Sequence, residues 1–283
     1  MTSSDGDDSV TVKFTFIRHG ESTDNLRSVW AGWRDSKLSN HGKHQSEALA
    51  EFFADTSLTA IHSSTLERAF LTAKALQAAQ SSFVPLETSP LLREQNFGRG
   101  EGQRYDVRKK PRLSFEEHIA QGIFIPPFNR SDRYPGGESL DDVSKRADAI
   151  VKDIILPYVK KATREGIQDM HIAFVSHGIF IAELITLLAA QGGSSLRPKQ
   201  FRGLRNTGWT LVTVKAIVDS EDDGQEVYPP VVQIVQHNSC THLDTLVRQK
   251  GGIGSSAYDP GQKDIRSFMS SSRETRLKEV PLN

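Results

Sequence analysis

Two histidines stand where an α/β chain does its chemistry. His19 follows the apolar run 12–17 (VKFTFI), and His177 follows 171–175 (HIAFV). Both runs are predicted as strands, and functional groups gather just beyond the carboxyl ends of such strands. Each histidine precedes a glycine, in Arg18-His19-Gly20 and Ser176-His177-Gly178. A missing Cβ there lets backbone or ligand come close. The chemistry open to such a pair is that of imidazole, a nucleophile or hydrogen-bond donor near neutral pH. A lone histidine at a strand end is ordinarily structural or solvated. Two His-Gly turns of the same construction, far apart in the chain, require a fold that joins them.

The elements between them supply that fold. Ser39 is placed to cap a helix over 40–54, with Ala48, Leu49, Phe52 and Phe53 on one face. Residues 59–63 read as a strand, 65–80 as a helix rich in Ala and Leu, and 83–87 as a strand weakened by Pro85. Residues 98–135 are loop-rich with one or two short helices, long enough to cover a pocket. A long helix is expected over 138–162, capped by Ser139 and kinked or divided at Pro157. A helix follows at 178–190, and 209–218 with 231–235 reads as an antiparallel hairpin across the polar loop SEDDGQ. This alternation predicts an α/β fold, with helices on both faces of a mostly parallel sheet. Residues 1–11 read as a disordered acidic tail, and order beyond Lys250 is doubtful.

Composition narrows the function classes. The chain has 283 residues, with 35 basic and 35 acidic side chains and no net charge. That balance argues against a nucleic-acid binder. One cysteine, Cys240, excludes an internal disulfide and a Cys-cluster zinc site. The polar start has no secretory or transit character, and the apolar stretch 172–190 is broken by Ser176, His177, Gly178 and Glu183, so neither export nor a membrane span is expected. The expected location is cytoplasmic, the nucleus not excluded. His41 and His44 share a helical spacing but have no third ligand nearby, so no metal is expected. His62 reads as a packing residue. The run Arg108-Lys109-Lys110-Pro111-Arg112 is a solvated basic stretch or a reader of a second anionic group. Gly251–Gly254 lacks the Gly-Lys-Ser/Thr of a phosphate loop, and Ser176 lacks a nucleophile elbow.

The first turn continues as RHGESTDN over 18–25, and this segment resembles the phosphate-pocket signature of the histidine phosphatase superfamily, the phosphoglycerate mutase-like proteins. Further segments resemble that family in the same order: 31–50, SSTLERAFLTA at 63–73, LLREQNFGRGEG at 91–102, YPGGESLDDVSKR at 134–146 and FVSHG at 174–178. The resemblance spans about 12–215. It implies a three-layer α/β/α sandwich, a catalytic domain over 12–250 with a cap-like insertion at 103–135, and a C-terminal extension at 251–283. It implies His19 as the nucleophile that becomes a phosphohistidine, Glu94 as the acid and His177 as a donor to the transferring group. Arg18 and Arg68 form the phosphate clamp, with Gly20, Asn25, Gly32 and Gly178 in the phosphate-binding set. No cofactor or metal is required, and the partner is a small phosphate ester.

These residue types suit phosphoryl transfer, in which negative charge spreads over equatorial oxygens and catalysis is chiefly positioning plus cationic donors. Arginine offers a permanently charged fork for such oxygens. A neighbouring carboxylate such as Glu101 could stand in for Glu94. The family either hydrolyses its phosphohistidine or passes the phosphoryl group on. Where its bisphosphoglycerate-dependent mutases carry Asn after the second His-Gly, this chain has Ile179; where they have Tyr in the acid loop, it has Phe97; and Arg130 and Arg133 are not adjacent. The sequence therefore resembles the cofactor-independent phosphatases. A mutase and a catalytically silent interaction module are the alternatives. Sugar phosphates, phosphoglycerates and other small esters remain open as substrates, as does the oligomeric state. Cavity walls from the basic run would favour a second negative charge; walls from Phe115, Ile119, Phe124 or Phe128 would favour a bulkier organic phosphate.

Overall fold

In the computed structural model, which describes residues 10–216, 230–259 and 261, the apolar runs pair into one sheet. Its strands are β1 (Val10–Arg18), β2 (Ala60–Ser64), β3 (Leu86–Ser89), β4 (His171–Ser176), β5 (Trp209–Ala216) and β6 (Val231–Ser239). Their spatial order is β3-β2-β4-β1-β5-β6. The first four are parallel, and β5 and β6 add antiparallel at one edge. Arg18 pairs with Ser176 at the carboxyl ends of β1 and β4. That register delivers His19 and His177 to the same edge of the sheet.

The helices are α1 (Thr23–Leu26), α2 (Asn40–Phe52), α3 (Glu67–Ala78), α4 (Phe115–Ala120), α5 (Leu140–Ile150), α6 (Leu156–Glu165) and α7 (Gly178–Gln191). Alternation along the strands separates two cores. Val12, Phe14 and Phe16 of β1 and Ile172 and Phe174 of β4 pack with α5, α6 and α7. Ile17, Ile61, Ala173 and Val175 pack on the other face with Leu49, Ala69, Ala73 and Leu76 of α2 and α3. The period of two in the strands thus meets apolar helix faces on both sides, giving three layers.

Local signals act where expected. Ser39 Oγ accepts the Gly42 N–H at 2.9 Å and starts α2. Ser139 and Asp142 form a reciprocal capping box at α5. The long helix is divided, as Pro157 suggested, but by a π-turn over Val151–Ile155 placed between α5 and α6. Proline has no N–H for the carbonyl four residues back and crowds it, so the ladder loosens there. Pro85 shifts the weak third strand: it begins only at Leu86.

Two expectations, at the two ends of the chain, are corrected, and the antiparallel hairpin is borne out as far as it is described. Val10 and Thr11 belong to β1 rather than to a tail; residues 1–9 lie outside the described residues. The hairpin strands are β5 and β6, but the polar loop between them lies in 217–229, also outside. Residues beyond Lys250 are ordered as far as 259, where Ala257 bridges to Ser39; 262–283 lie outside. Among the described residues no helix is long and apolar enough to cross a membrane.

His171, at the start of β4, is buried and lies 2.7 Å from Thr15 Oγ1. Burial, with a smaller push from Lys13, holds its pKa at about 4. Its ordinary value is about 6.5, so between those values the unfolded chain takes a proton that the fold refuses. Stability therefore falls as pH drops through that window. Urea midpoints measured from pH 7 to 4.5 should fall less steeply for His171→Gln than for wild type; parallel curves would contradict the assignment.

Candidate active site

The turns after β1 and β4 bring the two imidazoles to 5.0 Å between ring centroids, at 58°. Both are buried. His19 Nδ1 lies 2.6 Å from the Gly20 carbonyl. A carbonyl only accepts, so the proton sits on Nδ1 and Nε2 keeps its lone pair. Arg68 Nε donates to that Nε2 at 3.3 Å. Burial, then the charges of Arg68 and Arg18, hold the His19 pKa well below its ordinary value, against the opposing pull of the Gly20 carbonyl. His177 is lowered in the same way by burial, then Arg68, His19, Arg18 and Arg146. Its Nε2 lies 2.9 Å from Ser64 Oγ, while its Nδ1 is buried without a partner. Both rings are neutral at pH 7.

The guanidinium groups are fixed by backbone carbonyls. Arg68, on the first turn of α3, is 1% exposed and donates to Gly32 O and Arg34 O, each at 2.8 Å. Burial lowers its pKa to about 10, countered by Glu94, Asp35 and Asp24, so it remains cationic at neutral pH. Arg18 Nη1 donates to Leu204 O at 2.5 Å, and its Nε is buried without a partner. An unmet buried donor costs roughly 1–3 kcal/mol, which an arriving anion would relieve.

Glu94 faces both arginines and caps α7 from another loop. His177, the residue preceding α7, offers no side-chain cap. The Glu94 carboxylate accepts the N–H groups of Ile179 and Phe180, each at 3.2 Å, where a helix N-terminus welcomes negative charge. Glu101, the alternative acid, is engaged by the Trp33 N–H at 2.7 Å and the Phe97 N–H at 3.3 Å. Glu94 lines the cavity and Glu101 does not.

That cavity is about 200 Å³ and is lined by Arg18, His19, Asn25, Gly32, Arg68 and Glu94, with Val29, Trp30, Ala31, Phe97, Tyr105 and Ile179 completing the wall. Asn25 Oδ1 accepts from Ser22 and Asn206, leaving its amide N–H groups as donors. Gly32 turns its carbonyl onto Arg68 at φ +53°, where a Cβ would strike Glu101. Gly20 and Gly178 are not on the wall. Gly20 is needed for packing instead: a Cβ would sit 2.4 Å from Gly42 O. At Gly178 a Cβ would meet only the Arg18 side chain, at 3.9 Å. His177 is beside His19 but not on the wall. Neither of the two alternative sets of wall residues is there. Lys109 lies over the Phe128 ring, Lys110 bonds to Gln121, and Phe115 and Phe124 pack behind Trp30 and Phe97. Among the described residues, no three His, Cys, Asp or Glu side chains are grouped to hold a metal ion.

Several residues that position the site had no sequence signal of their own. Asn206 Nδ2 donates to His19 O and to Asn25 Oδ1. The Thr207 N–H donates to Arg18 O and His19 O, from a left-handed backbone at φ +54° that a β-branched residue rarely adopts. Arg146 makes five bonds: to the Glu138 carboxylate twice and to the carbonyls of Leu91, Arg93 and Glu94. The 134–146 segment pointed only to a helix start, although it contains both Glu138 and Arg146.

Residues 14–217 match the sequence model of the histidine phosphatase superfamily (branch 1). A probable phosphatase of Schizosaccharomyces pombe is 30% identical over 263 residues, covering 91% of this chain and 80% of that protein. A 2,3-bisphosphoglycerate-dependent phosphoglycerate mutase of Cytophaga hutchinsonii is 26% identical over 168 residues, covering 57% of this chain and 70% of that protein. A mycobacterial glucosyl-3-phosphoglycerate phosphatase structure shares the fold, with TM-score 0.60, 23% identity and coverage of 81% of this chain and 99% of its own.

Arg146→Met should leave Glu138 without its cation and take a donor from three carbonyls. The network is part-buried, and removing its donor costs roughly 1–3 kcal/mol. Urea unfolding measures it, and a loss under about 1 kcal/mol, the scale of an exposed pair, would show that Arg146 does not hold the acid loop.

Proposed function

This chain belongs to the histidine phosphatase superfamily, and on that premise we propose that it is a phosphomonoesterase, hydrolysing small phosphate esters through a phosphohistidine on His19. The observation that carries this reading is the state of His19: neutral, with Nε2 unprotonated, between two guanidinium groups on a cavity wall that also holds Glu94.

The steps follow from those atoms. A phosphoryl oxygen takes the Arg68 Nε donor that now occupies His19 Nε2, and another satisfies the unpartnered Arg18 Nε. The freed lone pair attacks phosphorus; an N–P bond forms as the P–O bond to the alcohol breaks. Glu94, protonated at that moment, gives its proton to the departing oxygen. As carboxylate it then takes a proton from a water whose oxygen attacks phosphorus. The N–P bond breaks, inorganic phosphate leaves, and Nε2 recovers its lone pair. Arg18 and Arg68 stabilise the charge in both steps, and the unpartnered Nδ1 of His177, beside the nucleophile but behind the wall, supplies a further donor.

Hydrolysis is favoured over mutase chemistry by the wall. Ile179 and Phe97 line the cavity. Arg130 is held by Glu183 and Asp141, and Arg133 by Asp142, away from it. Among the described residues Arg18 and Arg68 are the only cations on that wall, so a carboxylate or second phosphate on the alcohol half would lose water without gaining a cation of its own. The apolar remainder favours an ester whose alcohol half is uncharged.

Release of phosphate from p-nitrophenyl phosphate should exceed turnover of 3-phosphoglycerate, and His19→Ala should lower it by roughly 10³-fold or more. Mutase turnover above phosphate release, or equal rates in wild type and variant, would refute the proposal. Because the His19 pKa is depressed, kcat/KM should not fall as pH drops through 6.5 but only well below it. A fall centred at 6.5 would contradict the neutral nucleophile.

A further inference from the structure

Residues 244–259 lie beyond the family match, yet they are strapped onto the start of α2 and reach the turn after β1 through one side chain. Asn40 N donates to Ser256 O at 2.9 Å, Tyr258 N to Leu38 O at 2.8 Å, and Asn40 Nδ2 to Ile253 O at 2.9 Å. From this strap Arg248 Nη2 pairs with Glu21 Oε2, and its Nη1 reaches Ser255 Oγ at 3.3 Å. Glu21 is 9% exposed, and its other oxygen accepts the Ser39 hydroxyl at 2.7 Å. A carboxylate so buried needs its cation.

The peptide between Gly20 and Glu21 makes this pair matter. Its carbonyl is the one that holds the proton on His19 Nδ1, and its N–H donates to Gln45 Oε1 at 2.9 Å. The Glu21 side chain is therefore a handle on the plane that sets the nucleophile's tautomer. We propose that Arg248 is a positioning residue: acting through Glu21, it holds the Gly20 carbonyl against Nδ1 and so keeps Nε2 free to attack. The kinetic consequence rests on the phosphomonoesterase reading; the structural one does not. An extension outside the family's common segment thus completes the catalytic turn.

The test uses the full chain carrying ¹⁵N-histidine, with Arg248→Met, Arg248→Lys and Glu21→Gln. Two readouts are taken: the His19 tautomer by NMR at pH 7, and kcat and KM on p-nitrophenyl phosphate. In Arg248→Met the Nδ1–H form of His19 should give way to a mixture. Its kcat should fall about tenfold with KM within about twofold, and Arg248→Lys should restore part of both. Glu21→Gln keeps the shape and weakens the pair, so it gives the same readouts should Arg248→Met not fold. Unchanged tautomer and kcat in a folded variant, or a lower melting temperature alone, would overturn the proposal. If wild type releases no phosphate, the phosphomonoesterase reading fails, and the tautomer shift alone decides the role of Arg248.

Discussion

A neutral imidazole held between two buried guanidinium groups is the constraint from which the site follows. Arginine does not surrender its proton at neutral pH. Burial and two neighbouring positive charges therefore fall on the histidine, which stays neutral instead. Neutrality alone would leave two tautomers. The Gly20 carbonyl removes one of them, and the reactive nitrogen is turned toward Arg68. The neutral state of His19, the charge around it and its orientation thus come from one arrangement.

The scaffold keeps that arrangement without placing acids directly on the arginines. Arg18 and Arg68 are solvated by the carbonyls of Leu204, Gly32 and Arg34, so much of their charge remains for an incoming anion. Glu94 is held by the start of α7 rather than by an ion pair. The acid loop itself hangs on Arg146, which gathers three of its carbonyls. Arg18, His19, Arg68 and Glu94 are thereby fixed by backbone dipoles, which need little reorganisation as charge moves.

Much of this was legible in the residues. Strand and helix alternation gave the three layers, and Arg18-His19-Gly20 and Ser176-His177-Gly178 marked two turns that β1 and β4 bring together in register. Gly20 has another reason than ligand access, since it makes room for Gly42, whereas at Gly178 a Cβ would meet only ordinary contact with Arg18. What could not be read were contacts that arise only after folding. Asn206 and Thr207 carry no motif, and they act because the antiparallel β5 starts beside the end of β1. Arg248 carries no motif and lies just before the stretch of Gly, Ser and charge whose order was doubtful. Its role comes from a buried carboxylate more than two hundred residues earlier. The substrate-facing wall was left open for a related reason: Trp30 and Tyr105 come from loops, where no periodicity reports which side faces in.

The central claim is that His19 Nε2 carries the phosphoryl group. Rapid quench of the enzyme turning over a ³²P-labelled ester tests it directly. The account predicts labelled protein whose linkage survives alkali and is lost in acid, as a nitrogen–phosphorus bond requires, and which maps to His19. A catalytically active enzyme that yields no such adduct, or one whose label maps to another residue, would contradict it.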